Sequence, residues 1–536
     1  MAPWRRRRHD RAGEDATVDA AAQDTASSAW PPDAAARDPS ACQGRPWAQW
    51  YLYVIYSLEE LQSKAISGRS WTGIDDLDEA AAGRSVLIRG FAQAIRQVGK
   101  KRAFVVLRDS INTVQCVLSA SDDTGVSTQM IKFAASISKE SVVDIEGVVS
   151  LPEKPIEATT QKVEIQVTKV HCISPAIPTL PFNLEDAARS EAEFDKAEQS
   201  GQKLARVLQD TRLNHRVLGL RTPMNQAIFG GILDHVEHKF RDYLRSKKFK
   251  GVHSPKIISG SSEGGAAVFK LLYVNGEPVC LAQSPQLHKQ MSICAGLGRV
   301  FEVCSIFRAE NSNTHRHLCE FTGLDAEMEI KEHYFEVCDI IDGLFVSMFN
   351  YLNENCRLEL EIINKQCPFE PLKYLEKTLR LTYAEGIEML KEAGIEIEPM
   401  GDLNTEAEKQ LGRLVKEKYG TEFFILHRYP LAVRPFYTMP CYDDPAYSNS
   451  FDVFIRGEEI ISGGQRIHTP DLLRKRAKEC GIDLSTIKSY IDSFRYGAPP
   501  HGGFGAGLER VVMLFCGLDN IRKASLFPRD PHRLEP

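Results

Sequence analysis

Val300 to Glu329 reads VFEVCSIFRAENSNTHRHLCEFTGLDAEME. Two β-rich runs flank a polar turn, Asn311-Ser312-Asn313-Thr314, which predicts an antiparallel hairpin. Alternation along the first strand places Ile306, Arg308 and Glu310 on one face. On the returning strand His315, His317, Cys319 and Phe321 share a face, so pairing brings Arg308 toward Phe321. A guanidinium fork, an imidazole and an aromatic plane on one surface suit a phosphate and a base. A surface salt bridge is the plainer alternative for Arg308. His315, His317 and Cys319 could instead contribute to a zinc site, but no second ligand cluster at suitable spacing accompanies them.

Downstream, Pro499 to Phe515 reads PPHGGFGAGLERVVMLF. Its glycines, Gly502, Gly503, Gly505 and Gly507, permit close backbone approach, and Val511 to Phe515 reads as a buried helix. Arg510, in that helix's first turns, needs an anionic partner, because a lone buried charge is costly. A polyphosphate would serve, and so would a carboxylate such as Glu509. Between the two blocks lies DVFIRGEEIISGGQR, Asp452 to Arg466. Asp452 and Glu459 are candidate magnesium ligands, since magnesium in nucleotide enzymes commonly takes one or two carboxylates plus phosphate oxygens. Each could equally be a solvated surface acid. No G-x-x-x-x-G-K-S/T loop and no G-x-G-x-x-G turn occurs, so P-loop and dinucleotide folds lack support.

Upstream, Ile228, Ile232, Val236, Phe240 and Tyr243 fall on one face of a helix predicted from Asn225 to Arg245. Earlier still, five short β-rich runs stand close together: Val86–Ile88, Phe104–Leu107, Val114–Val117, Val142–Ile145 and Val163–Val167. They predict a small barrel of the oligonucleotide-binding kind, with another small β-sandwich as the alternative. Pro175, Pro178 and Pro181 mark a linker, and a charged stretch to Gln209 reads as a hinge. The first 46 or so residues, rich in Ala, Asp, Pro and Ser, are expected to be disordered. Arg5 to Arg8 open that segment, but Asp10, Glu14, Asp15 and Asp19 follow, which a transit peptide should lack.

Composition fits these readings. Of the 536 residues 43% are hydrophobic and 26% charged, as in a soluble globular protein. The net charge of −6 excludes a uniformly basic nucleic-acid coat, though not local basic patches. Thirteen scattered cysteines without a C-x-x-C pair point to a reducing compartment, and no apolar run is long enough to span a membrane.

Taken in order, these blocks resemble the three signature motifs of class II aminoacyl-tRNA synthetases. The helix from Asn225 with Lys250-Gly251-Val252-His253-Ser254-Pro255 is similar to motif 1, the dimer-interface element. Phe307-Arg308-Ala309-Glu310 with its returning strand resembles motif 2, and Gly505-Ala506-Gly507-Leu508-Glu509-Arg510 resembles motif 3. No class I signature is present. The resemblance implies an α+β fold: an antiparallel-sheet catalytic domain preceded by a five-stranded OB-fold barrel. The expected organisation is an irregular or disordered extension (1–83), an anticodon-binding barrel (84–173), a hinge (174–224) and the catalytic domain (225–536).

An N-terminal barrel points to the aspartate, asparagine and lysine group. Gln283 to Gln290 resembles the aspartate-specific element, in which Gln286 would meet the substrate ammonium and Lys289 its side-chain carboxylate. Arg466 would fork onto that same carboxylate, and two cations there would reject the neutral amide. Asp325 would lie near the amino group, Ser462 beside the amino acid, and Ser262-Glu263-Gly264-Gly265 in a loop closing over it. For ATP the resemblance implies Arg308 on the α-phosphate with Glu310 beside it, and His317 and Arg510 on the outer phosphates. Phe321 would stack on adenine, and Asp452 and Glu459 would hold Mg2+. For tRNA it implies Phe104, Gln115 and Glu164 on the anticodon, and Ser312 and Thr314 near the acceptor end. Ala158 departs from the family, some members of which place a polar anticodon contact there. The GGFG form of motif 3 also occurs in asparagine enzymes, whereas Ser525 to Pro531 matches aspartate enzymes. The short span between motifs 2 and 3 implies the eukaryotic cytosolic type. An asparagine-charging enzyme, a ligase making free asparagine and an inactive tRNA-binding paralogue are the rival readings. Charging of tRNA(Asn) as well, and membership of a larger synthetase assembly, stay open.

Overall fold

The computed structural model describes residues 68–121, 125–260 and 267–536. The expectations for the first 67 residues, and those placed on Ser262 and Glu263, lie outside the described residues.

Strands β1 (Ser85–Val98), β2 (Arg102–Asp109), β3 (Asn112–Ser119), β4 (Val142–Ser150) and β5 (Glu164–Ser174) close into a barrel of order β1-β2-β3-β5-β4. Helix α1 (Thr128–Ser136), capped by the Ser127 hydroxyl, joins β3 to β4. Inward residues such as Val105, Leu107, Cys116 and Ile145 are fully buried, and their neighbours in sequence point outward. Ile74, Leu77 and Ala81, which precede the first strand, are buried in the same core. The structured unit of the barrel therefore begins ahead of Arg84.

The long amphipathic helix forms in pieces: a turn at Pro223–Ala227, a π-turn at Ile228–Ile232, then α2 (Leu233–Ser246). Gly231 sits in the π-turn, where a Cβ would come within 2.7 Å of Glu359. Ile228, Ile232, Val236 and Phe240 are fully buried as expected. Leu244, not Tyr243, continues the buried i+4 stripe, and Tyr243 packs at its margin.

The region after α2 is built on an eight-stranded sheet. It uses β6 (Lys250–Gly251), β10 (Arg299–Phe307), β11 (Glu320–Glu329), β12 (Leu379–Thr382), β13 (Phe423–His427), β14 (Ser450–Ile455), β15 (Glu458–Gln465) and β16 (His501–Gly507). The order is β12-β13-β14-β15-β16-β11-β10-β6, antiparallel except for the two outermost pairings. A separate small sheet pairs β7 (Ile257–Ile258) and β8 (Lys270–Leu272) with β9 (Pro278–Leu281). One face of the large sheet, carrying Leu324, Ala326, Phe423 and Val453, packs on α2, α4 (Phe335–Asn355) and α6 (Leu508–Phe515). Aromatic rings seal this layer, with Phe349 stacked on Phe515 at 5.5 Å between centroids. The opposite face carries the candidate site, bordered by α3 (Gln286–Cys294) and α5 (Thr405–Tyr419). Among the described residues no helix is long and apolar enough to cross a membrane.

Candidate active site

Strand register builds the site. Asp452 pairs with Ser462, Ser462 with Gly505, Gly505 with Asp325, and Asp325 with Glu302. These five residues form one row across five strands, on the face away from the helices. The next row runs Ser450, Gly464, Gly503 and Glu327. The central strand β16 contributes only glycines to both rows, and the reason is steric. A Cβ at Gly503 would collide with the Glu327 carboxylate, and one at Gly505 would lie 3.0 Å from Asp325 Oδ1. The glycine-rich block keeps the floor flat and lets polar side chains from both flanks meet above it.

The cavity over this floor has a volume of about 290 Å³. Arg308, Arg316, Arg434, Arg466 and Arg510 line it together with Glu310, Asp325, Glu459 and Glu509, and guanidinium forks suit phosphate oxygens. Each is held differently. Arg316 is clamped by Glu408 Oε2 and Thr405 Oγ1 of α5, both at 2.7 Å. Arg434 forks onto Asp452 at 3.0 and 2.6 Å. Arg466 forks onto Glu327 at 3.0 and 3.3 Å, and its Nη2 also donates to the Gly503 carbonyl. Arg510 donates only to carbonyls, those of Glu459 at 2.9 Å and Arg316 at 3.3 Å, and forms no ion pair among the described residues. The carboxylate alternative for it is therefore not realised: both Glu509 oxygens accept from the Thr322 amide at 3.1 Å. Burial pushes the Arg510 guanidinium down from its usual range, which an incoming anion would reverse.

The hairpin forms, with Ile306 opposite Phe321 and Phe307 opposite Glu320, but its strands are shorter than alternation predicts. Residues 308–319 are a loop, so His315, His317 and Cys319 do not share a strand face. His315 turns to Glu458 at 3.2 Å, and Cys319 Sγ lies 3.9 Å from the Glu310 carbonyl. His317 Nδ1 meets the hydroxyls of Ser312 and Thr314 at 3.2 and 2.6 Å. The three candidate zinc ligands thus diverge. Arg308 and Phe321 do meet, the guanidinium carbon lying 5.7 Å from the ring centroid. His317 enters the cavity from the loop, and burial together with Arg510 and Arg316 holds its imidazole below the usual histidine range.

At the other end, Gln286 and Asp325 line the cavity beside Arg466. Lys289 lies beneath them, only 2% exposed, donating to Asp325 Oδ1 and to the Phe504 carbonyl, both at 2.9 Å. Its Nζ is 3.5 Å from Glu327 Oε2. Lys289 and Arg466 are thereby joined through one buried carboxylate. Burial alone would raise Glu327, but Arg466 and Lys289 outweigh it and hold the carboxyl below its ordinary range.

Glu459 reaches the cavity through a bulge. Counting by twos from Ser462 puts Ile460 on the cavity face and Glu459 behind it, but Phe454 pairs with Glu459 and Val453 with Ile461. The unpaired Ile460 turns the strand, and both residues line the cavity. Burial, and then the charge of Asp452, pushes the Glu459 carboxyl up.

The barrel gathers its own set. Val106 pairs with Gln115, Phe104 with Val117 and Gln115 with Glu164, which sets Phe104, Gln115 and Glu164 on the outer face. Gln115 Nε2 donates to Glu164 Oε1 at 2.6 Å, and Arg96 lies 5.1 Å from the Phe104 ring centroid. Pro255 sits in the loop between β6 and β7, next to Ser254, which donates to Glu302. Arg434 and Arg316 were not singled out from the sequence. Nothing local marks them, since their partners lie 18 and 92 residues away.

A glycine-floored cavity rich in arginine, on an antiparallel sheet downstream of an oligonucleotide-binding barrel, is the architecture of class II synthetases. The family model for class II tRNA synthetases (D, K and N) matches residues 208–531, and that for the OB-fold nucleic acid binding domain matches 86–173; the chain belongs to this synthetase family. It is 61% identical over 494 residues to aspartate–tRNA ligase 2, cytoplasmic, of Arabidopsis thaliana, covering 90% of this chain and 88% of that protein. It is 52% identical to the cytoplasmic aspartate–tRNA ligase of Homo sapiens, covering 91% and 96%. Among solved structures, an aspartyl-tRNA synthetase from Entamoeba histolytica superimposes with a TM-score of 0.82 at 46% identity, covering 90% of this chain and 96% of that one. An asparaginyl-tRNA synthetase from Pyrococcus horikoshii, complexed with asparaginyl-adenylate, gives a TM-score of 0.74 at 29% identity, covering 88% and 100%.

Proposed function

We propose that the chain is a cytoplasmic aspartate–tRNA ligase that activates L-aspartate with ATP and transfers it to tRNA(Asp). One observation carries this reading. A single glycine floor separates a phosphate-binding end, with Arg308, Phe321 and Arg510, from an end where Arg466 and Lys289 converge on buried carboxylates.

ATP lies bent over the first end. Phe321 stacks on adenine, Arg308 contacts the α-phosphate beside Glu310, and Arg510 and His317 take the outer phosphates. A neutral His317 whose Nδ1 accepts the Thr314 hydroxyl has Nε2–H left as a donor for a phosphate oxygen. At the second end, Asp325 and Gln286 receive the substrate ammonium. Arg466 commits Nε and Nη2 to protein acceptors, so Nη1 is the donor for the aspartate side chain. Asparagine would offer that donor a neutral amide in place of a carboxylate, which is the weaker partner for a guanidinium. Ser462 lines the same cavity, beside the amino acid.

The α-carboxylate of aspartate attacks the α-phosphorus, and the bond to pyrophosphate breaks. The ribose hydroxyl of the terminal tRNA adenosine then attacks the mixed anhydride and releases AMP. Neither step needs a protein nucleophile. Catalysis is positioning plus charge stabilisation by Arg308. Asp452 and Glu459 stand on the paired strands β14 and β15, with Ser462 opposite Asp452, and would hold a magnesium ion together with phosphate oxygens. When bound there, the ion would neutralise developing charge on the phosphates.

Phe104, Gln115 and Glu164 present an aromatic plane and hydrogen-bonding edges to anticodon bases, and Ser312 and Thr314 lie where the acceptor end would approach. Pairing into a homodimer through the α2 region and Pro255 belongs to the same reading. The test is charging of tRNA(Asp) and tRNA(Asn) transcripts with labelled aspartate. Acceptance confined to tRNA(Asp) is expected, and no acceptance by either transcript would refute the reading.

A further inference from the structure

The activation chemistry above makes no use of Arg434, although it is among the most firmly held cations in the cavity wall. It follows the short turn Leu431–Val433 and lies over the Tyr429 ring at 3.8 Å. Nη1 and Nη2 take both oxygens of Asp452, and Nη1 also lies 3.1 Å from Ser462 Oγ. The side chains of Arg434 and Asp452 are 9% and 7% exposed. This paired fork occupies a carboxylate assigned above to magnesium, and the inference rests on that assignment.

We propose that Arg434 competes with divalent cations for Asp452, so that the metal site admits an ion only together with nucleotide phosphates. Free magnesium gives up its water reluctantly and would gain little more than one or two carboxylates here. To do so it must break a bidentate, charge-assisted pair in a desolvated wall, beside a guanidinium that repels it. Bound polyphosphate changes both terms. It supplies oxygen ligands to the ion, and it supplies negative charge that lets Arg434 relax its hold. The guanidinium has donor capacity to spare for a phosphate oxygen: Nε–H is buried with no hydrogen-bond partner among the described residues. The consequence is an ordered site, guarded against metal without nucleotide.

The test is Mn2+ binding to the full chain, followed by electron paramagnetic resonance of the free ion, with and without a non-hydrolysable ATP analogue, each reading corrected for the Mn2+ that the analogue holds in protein-free solution. Wild type should bind Mn2+ at least tenfold more weakly without the analogue than with it. Arg434→Met should raise nucleotide-independent Mn2+ affinity about tenfold, and adding Asp452→Asn should abolish the gain. If Arg434→Met does not fold, Arg434→Lys carries the test, because it keeps charge but loses the fork; a gain of about threefold is expected. Unchanged nucleotide-independent affinity in both variants overturns the competition, even where Mn2+ binding with the analogue still depends on Asp452. Mn2+ binding with the analogue that is indifferent to both Asp452→Asn and Glu459→Gln overturns instead the magnesium assignment beneath it.

Discussion

Arg466 and Glu327 form a two-point ion pair over the glycine floor of the cavity, with Nε to Oε1 at 3.0 Å and Nη2 to Oε2 at 3.3 Å, and Lys289 Nζ lies 3.5 Å from the same carboxylate. The pair ties the residue just past strand β15 to strand β11 across the glycines of β16. Both side chains are almost wholly buried, so neither can lose its partner and turn to water.

Arg466→Ala leaves Glu327 buried with half its compensation, and removing one partner of such a pair costs about 3–5 kcal/mol. The expected outcome is a lowered Tm in calorimetry and loss of aspartate activation. The pH dependence has a defined sign. Because the folded-state pKa of Glu327 is depressed, its contribution is present above the ordinary carboxylate range. It fades as pH falls through the depressed value, and the Arg466→Ala enzyme should lack that acid limb.

Glu509 predicts the opposite sign. Burial raises its carboxyl from 4.5 to about 7, so the folded state holds a proton that the unfolded state releases. Its protonated form favours folding at low pH, and stability falls as pH rises between those two values. Glu509→Gln should leave Tm unchanged near pH 5 and raise stability on the order of 2 kcal/mol near pH 8. A variant less stable at pH 8 would contradict this.

Arg308→Ala removes the donor assigned to the α-phosphate. Loss of one such transition-state donor lowers rate by about 10²–10³-fold. ATP–pyrophosphate exchange should fall by that amount, while tRNA affinity in a filter-binding assay stays within about threefold. Equal losses in both would mark Arg308 as a structural residue.

Phe104→Ala tests the barrel. Removing one stacking platform should cost about 1–3 kcal/mol of tRNA binding. Exchange without tRNA should not change, because Phe104 lies on the barrel's outer face, away from the cavity. A fall in tRNA-independent exchange would place Phe104 in the fold's support and not in recognition.

The sequence was informative wherever structure is local. Five β-rich runs became the barrel, and the alternation around Arg308 and Phe321 became a hairpin that brings them together. It misled where backbone regularity ends. His315, His317 and Cys319 alternate in the chain but sit on a loop, where period two has no meaning. Glu459 reaches the cavity through a bulge that no pattern announces. Arg316 and Arg434 owe their positions to tertiary partners, Glu408 and Asp452, so nothing near them in the chain marks them as cavity residues. Leu244 displaced Tyr243 from the core because the buried stripe follows i+4 at the end of α2.

The central claim is that the cavity activates an acidic amino acid with ATP. ATP–pyrophosphate exchange on the wild-type chain, with aspartate and asparagine run side by side, tests it most directly. Exchange with aspartate exceeding that with asparagine by at least about 10³-fold is predicted, on the scale by which sites built around a polar group reject an analogue that cannot satisfy it. Equal exchange with the two, or exchange with asparagine alone, would contradict it.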